Sequence, residues 1–158
     1  MKVRLICTGW NMVYGSQYTE TFAPVASIPT IRIFLSWGCA VGAYAASMDI
    51  SGAYLKSDMD SFEIYMKPPK GCEEEMGSNG KPKVWLLRKF LYGLKSSGWA
   101  WHRNFYLFLI SLGFVACTLD PCILIKRCKE GWIVVITYVV RKCNQSVIDM
   151  PDYQPGGG

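Results

Sequence analysis

A single histidine, His102, and seven cysteines with no C-x-x-C spacing leave this 158-residue chain without a conventional ligand set for structural zinc. Free thiols suit a reducing intracellular compartment, cytoplasmic or nuclear. The N-terminal MKVRLICTGWN has positive charge but no apolar run long enough for a secretory signal. The segment from Ile33 to Met48, between Arg32 and Asp49, falls short of the roughly 20 residues that span a bilayer, so no membrane partner is expected. Internal repeats are absent, and polar windows are confined to GCEEEMGSNGKPK (71–83) and the closing MPDYQPGGG. Disorder is therefore expected only there, and the apolar fraction of 51% is that of a chain that builds a core.

Acidic residues are the minority: twelve against seventeen Lys and Arg, a net charge of +5. The basic residues gather in KPKVWLLRK (81–89), LKSSGWAWHR (94–103) and IKRCK (125–129), apart from Asp58, Asp60, Glu63 and Glu73 to Glu75. Such a bipolar surface favours a phosphate-bearing partner without requiring one.

Hydrophobic patterning predicts an α+β layout with helices packed on a mainly antiparallel sheet. VRLICTG (3–9) reads as a strand ending at Gly9, followed by an extended connection through Pro24. Ser27 and Pro29 open a helix that places Ile31, Phe34, Leu35 and Gly38 on one face and ends near Gly42. AYAASMD (43–49) reads as a buried strand with Asp49 at its lip. FEIYMK and KVWLLRK read as two short strands, and residues 97–112 as a helix with a core stripe of Trp101, Phe105, Phe108, Leu109 and Leu112, stopped by Gly113. CILIKR and WIVVITYVV, joined by CKEG, read as a hairpin.

Within this pattern MDISGAYL (48–55) sets one carboxylate, Asp49, where burial is expected. A buried carboxylate needs a pairing cation, hydrogen bonds or a metal.

KVRLICTG, YGSQYTETFAPVA, IRIFLSWG, MDISGAYL, EIYMKPPKG, KVWLLRKFLYGLK, LISLGF, LDPCILIK and IVVITYV occur in one order and together closely resemble the reverse transcriptase domain of copia-type LTR retrotransposons, over roughly residues 2–139. The resemblance implies the palm and part of the fingers of a right-hand polymerase over 1–139, with an unrelated, disordered tail over 140–158. It implies Mg2+ as cofactor, and an RNA or DNA primer-template and deoxynucleotides as partners. Asp49 aligns with the palm aspartate that holds two magnesium ions, which line up a primer 3'-hydroxyl and the α-phosphate of the incoming nucleotide. The carbonyl of Ile50 aligns with a further ligand. Tyr54 aligns with the aromatic that excludes a ribose 2'-hydroxyl. Lys2 and Arg4, sharing one strand face, align with cations that meet the triphosphate. In LYGLK, Tyr92 aligns with a nucleotide contact, Gly93 with a point of close backbone approach, and Lys95 with a phosphate contact. Ser96, Gly98 and Trp99 depart from the glutamine, proline and arginine usual there.

The largest departure is at the end. The family's Tyr-Val-Asp-Asp turn is represented by Tyr138 and Val139, followed by Val140 and Arg141 in place of both carboxylates. Asp149, on the far side of any new turn, would sit on the order of 10 Å from the needed position. Asp120, in LDPC, aligns with a turn outside the active site and reads as a local hydrogen-bonding residue. A truncated, inactive fragment is the expectation, lacking the start of the fingers, the thumb and RNase H. A non-catalytic nucleic-acid-binding fragment or an unstable transposon relic is the alternative.

Overall fold

The computed structural model describes residues 5–59, 62–69, 71–72, 76–129 and 131–138. Lys2, Arg4, the expected turn at 139–141, Asp149 and the tail 140–158 lie outside the described residues.

Two helices form where caps and periodicity agree. Helix α1 spans Ile28–Ala40, with the Ser27 side chain accepting from the Thr30 amide at 3.1 Å and proline in the first turn, where its missing N–H costs nothing. Helix α2 spans Ser97–Ser111 and stops where Gly113 takes a φ of +85°. Between them lie the paired strands β1 (Tyr65–Met66) and β2 (Trp85–Leu86), antiparallel with Tyr65 opposite Leu86. Their alignment continues beyond the two-residue strands. Leu87 donates to the Ile64 carbonyl, Met59 to that of Arg88 and Phe90 to that of Ser57, so residues 57–59 and 64–66 run beside 85–90.

After α2 comes a three-stranded antiparallel sheet: β3 (Val115–Ala116), β4 (Ile123–Cys128) and β5 (Gly131–Ile136) in that order. The β4–β5 hairpin registers from Cys128 opposite Gly131 to Ile123 opposite Ile136, setting one continuous apolar run beside the other. Mixed helix and antiparallel sheet is the α+β class expected.

Among the described residues the apolar interior is in two parts. One gathers Cys7, Met12, Met59, Ile64, Phe90, Leu94 and Ala100, with Tyr54 and Trp99 against it. The other gathers Leu109, Phe114 and the fully buried Leu124, with Phe105, Tyr106 and Val135. Helix α2 touches both, through Ala100 at one end and Leu109 at the other.

Three expectations are corrected. Residues 5–8 form no strand: Ile6 makes an isolated parallel bridge to Tyr92, and the chain then coils into a short 3-10 turn at Gly9–Asn11. One reason is glycine: Gly9 and Gly93 let two backbones cross closely, and a crossing cannot run on as a ladder. Residues 43–49 form no strand and are exposed, so Asp49 is not buried at a sheet lip. Among the described residues they pair with no strand of either sheet, and only the Ala43 amide finds a backbone partner, the Gly38 carbonyl at 2.8 Å. The stripe on α2 is only partly core, because Leu109 is buried whereas Phe108 and Leu112 are exposed. The sheet covers one edge of that stripe rather than its full width.

Candidate active site

The loop at residues 91–96, the turn at 49–56 and the segment 12–18 bring most of the described candidate residues into one region. Gly52, at φ +67°, reverses the chain after Asp49 and Ile50 and starts a 3-10 turn, Ala53–Lys56. That turn packs on α2 and carries Tyr54 inward. Ser97 anchors the opposite loop by donating its hydroxyl to the Leu91 carbonyl. Tyr92 then meets Tyr54, with ring centroids 4.8 Å apart and planes inclined by 59°. The aromatic candidate for sugar discrimination and the aromatic candidate for nucleotide contact thus touch.

Gly93 has a φ of +93°, and a side chain there would run into the Cys7 carbonyl. The same crossing is held by the Cys7 amide donating to the Tyr92 carbonyl at 2.8 Å. Close backbone approach is therefore present at Gly93, and its partner is this chain's own N-terminal segment. Lys95 turns inward: its Nζ donates to the Met12 carbonyl at 3.2 Å and to the Tyr18 hydroxyl at 3.4 Å, and lies 4.9 Å from the centre of the Tyr18 ring. Two of its three N–H groups are thus taken up within the chain, leaving one for a phosphate. Tyr18 is braced in turn by Tyr14, edge-on at 5.7 Å. Tyr18 and Gly9 are the residues that sequence reasoning missed. The tyrosines of YGSQYTETF and the glycine closing KVRLICTG were visible, but nothing in their spacing revealed that they meet the LYGLK loop.

Asp49 stands apart, exposed, and Ile50 is half-buried beside it. Among the described residues no three His, Cys, Asp or Glu side chains come together closely enough to hold a metal ion. The donors there do not fit the pair of divalent cations that the resemblance implies. Asp120 accepts from the Cys122 amide at 2.9 Å and also bonds Thr30 and Ser27 at the start of α1. These bonds, the Cys122 amide first, hold its carboxyl below the usual aspartate value. It is a local hydrogen-bonding residue, as expected, and it ties the turn before β4 to the first helix.

A family model described as reverse transcriptase (RNA-dependent DNA polymerase) matches residues 1–145. The chain belongs to the reverse transcriptase family. It is 33% identical over 139 residues to the retrovirus-related Pol polyprotein from transposon TNT 1-94 of Nicotiana tabacum, covering 87% of this chain and 10% of that protein. It is 30% identical over 138 residues to the Pol polyprotein from transposon RE1 of Arabidopsis thaliana, covering 87% of this chain and 9% of the relative. The transposon Ty1-ER2 Gag-Pol polyprotein of Saccharomyces cerevisiae is 33% identical over 99 residues, 60% of this chain and 5% of its own length. This reverse transcriptase domain is thus of the copia type and spans about a tenth of the plant polyproteins it matches. No solved structure matches the chain. Among the described residues no helix is long and apolar enough to cross a membrane.

Proposed function

We propose that this chain carries the palm and part of the fingers of a copia-type reverse transcriptase, and that it does not itself polymerise. The single observation carrying the second half is the pair Val140-Arg141 after Tyr138-Val139, where the family pattern has two aspartates. The family match runs to residue 145, so this position falls inside the matched region. Nucleotidyl transfer by two divalent ions needs several carboxylates around one point, because each ion requires oxygen ligands in a nearly fixed octahedron. Asp49 supplies one of them from an exposed segment. Arg141 adds a positive charge where ligands for cations are needed.

What the fold keeps is consistent with a nucleotide platform that has lost its chemistry. Tyr54 and Tyr92 remain in contact, as residues facing one deoxynucleotide would be. Tyr54 keeps the steric gate position against a ribose 2'-hydroxyl, and the Ile50 carbonyl stays next to Asp49. Lys2 and Arg4 retain the charges that suit a triphosphate. The substrates of the family reaction, a primer-template of RNA or DNA and deoxynucleotides, are the ligands such a platform would meet.

Metal stabilisation of the transition state is worth several kcal/mol, and each 1.4 kcal/mol is about tenfold in rate. Extension of an annealed DNA primer on an RNA template, with Mg2+ and all four deoxynucleotides, is therefore expected roughly a thousandfold or more below that of an intact relative assayed alongside. Extension at the relative's rate would overturn the proposal.

A further inference from the structure

The loop between β1 and β2 carries an asparagine-glycine pair, Asn79-Gly80, both exposed and apart from the candidate site. The pair lies at the tip of a short hairpin. Met76 bridges Pro82, the Gly77 amide donates to the Lys81 carbonyl at 2.8 Å, and the Gly80 amide donates to the Gly77 carbonyl at 3.0 Å. Gly80 closes this turn at a φ of +72°, and a Cβ there would meet only open space. The Asn79 carboxamide folds back over the turn: its Oδ1 accepts from the Lys81 amide at 3.1 Å, and a side chain on Gly77 would meet the same oxygen at 2.9 Å. The bond to Lys81 closes a ring that runs through Asn79 Cγ and the Gly80 nitrogen, so an electrophilic carbon is held beside the amide that follows it. If that nitrogen attacks, negative charge develops on Oδ1, where the Lys81 N–H already donates. Glycine, without a Cβ, obstructs such an attack least.

We propose that Asn79 is a site of spontaneous conversion to isoaspartate. The Gly80 nitrogen releases the Gly77 carbonyl, gives up its proton to water and attacks Asn79 Cγ. The N–Cγ bond forms, the Cγ–Nδ2 bond breaks, and the leaving nitrogen takes a proton back from water to depart as ammonia. A cyclic imide remains, with nothing oxidised or reduced. Water then opens the imide: cleavage at the Cγ–N bond gives aspartate, and cleavage at the Asn79 carbonyl carbon gives isoaspartate, whose main chain runs through the former side chain and is longer by a methylene. Either product lowers the net charge of +5 by one, in a loop that already carries Glu73 to Glu75. Isoaspartate also removes the carboxamide that bonds Lys81, so the hairpin tip opens. Neither apolar interior draws on residues 76–82, so the rest of the fold is spared. The conversion is independent of whether the chain polymerises.

The remaining asparagines, Asn11, Asn104 and Asn144, precede the bulkier Met12, Phe105 and Gln145 and serve as internal controls. The test holds the purified chain at neutral pH and physiological temperature for days to weeks, then locates the amide-to-acid mass change by peptide mass spectrometry. An isoaspartate-specific carboxyl methyltransferase with labelled S-adenosylmethionine identifies the product. Conversion at Asn79 is expected to run at least about tenfold faster than at the three controls, with isoaspartate in excess over aspartate. Far-ultraviolet circular dichroism should stay that of the fresh chain. N79Q should abolish the methyl label, and G80A, with a Cβ in the path of attack, should slow its appearance by at least about tenfold. First conversion at Asn11, Asn104 or Asn144, aspartate without isoaspartate, a G80A rate equal to the parent's, or an Asn79 that persists in the folded chain while a free peptide of residues 74–84 converts would each overturn the proposal.

Discussion

At the scale of single residues the site depends most on a glycine. Gly93 combines a left-handed φ of +93° with the Cys7 carbonyl standing where a Cβ would be. Gly15 has a similar φ of +84° with open space around it. The two positions separate conformational strain from collision. Gly15→Ala is expected to cost about 1 kcal/mol, the penalty of the left-handed region alone. Gly93→Ala should cost at least about 2 kcal/mol, because the crossing of two backbones has to open as well. Urea midpoints of the two variants against the parent check this, and equal losses would show that the crossing is not tight.

His102 gives a pH signature at the same scale. Its ring stacks near Tyr106, and its Nε2 is buried without a hydrogen-bond partner among the described residues. Burial pushes its pKa below the ordinary value of 6.5. The unfolded chain therefore binds more protons than the fold as pH drops from about 6.5 toward that lowered value. Stability from the neutral ring is full above the unfolded value and is lost as pH falls through this window. His102→Phe is expected to flatten the pH dependence of the urea midpoint below about pH 6.5, and an unchanged slope would assign it to another group.

At the scale of elements, what the sequence revealed was what is decided locally. Ser27 and Pro29 start α1, Gly113 ends α2, and the six-residue strands of the β4–β5 hairpin follow from two apolar runs around a glycine-bearing turn. The segment 43–49 shows the limit. Its composition suits a buried strand, but a strand is half a structure, and its existence depends on an edge to pair with. Neither sheet supplies one among the described residues. The inward face of α1 was equally legible, since Ile31, Phe34 and Gly38 are half-buried as their spacing predicts, although Leu35 is exposed, because periodicity reports the face and never the neighbour. The site divides the same way. Tyr54 and Tyr92 were each marked by a motif, whereas Tyr18 beneath Lys95 was a long-range contact with no local signal.

At the scale of the whole molecule, the two small interiors of the described residues share one helix. The first is built from chain between Cys7 and Ala100, the second from Leu109, Phe114 and Leu124. Leu124 has no exposed surface, and replacing it with alanine removes transfer energy and leaves a cavity, a cost of about 2–5 kcal/mol. If the two interiors were one cooperative block, every slow amide would lose protection by that same amount. Because the packed link between them is α2, with the Asp120 bonds to Ser27 and Thr30 as the further tie, the loss should instead concentrate in the second. The Cys117 amide, bonded to the Ile123 carbonyl at 2.8 Å, and the Thr137 amide, bonded to that of Cys122 at 2.8 Å, are the reporters there. The Cys7 amide, bonded to the Tyr92 carbonyl at 2.8 Å, reports on the first interior, next to the candidate site. Native-state hydrogen exchange of Leu124→Ala should speed Cys117 and Thr137 by at least roughly tenfold more than Cys7. Equal acceleration of all three would mean that α2 transmits unfolding from end to end, and that damage to the hairpin is felt in full by the Tyr54–Tyr92 pair.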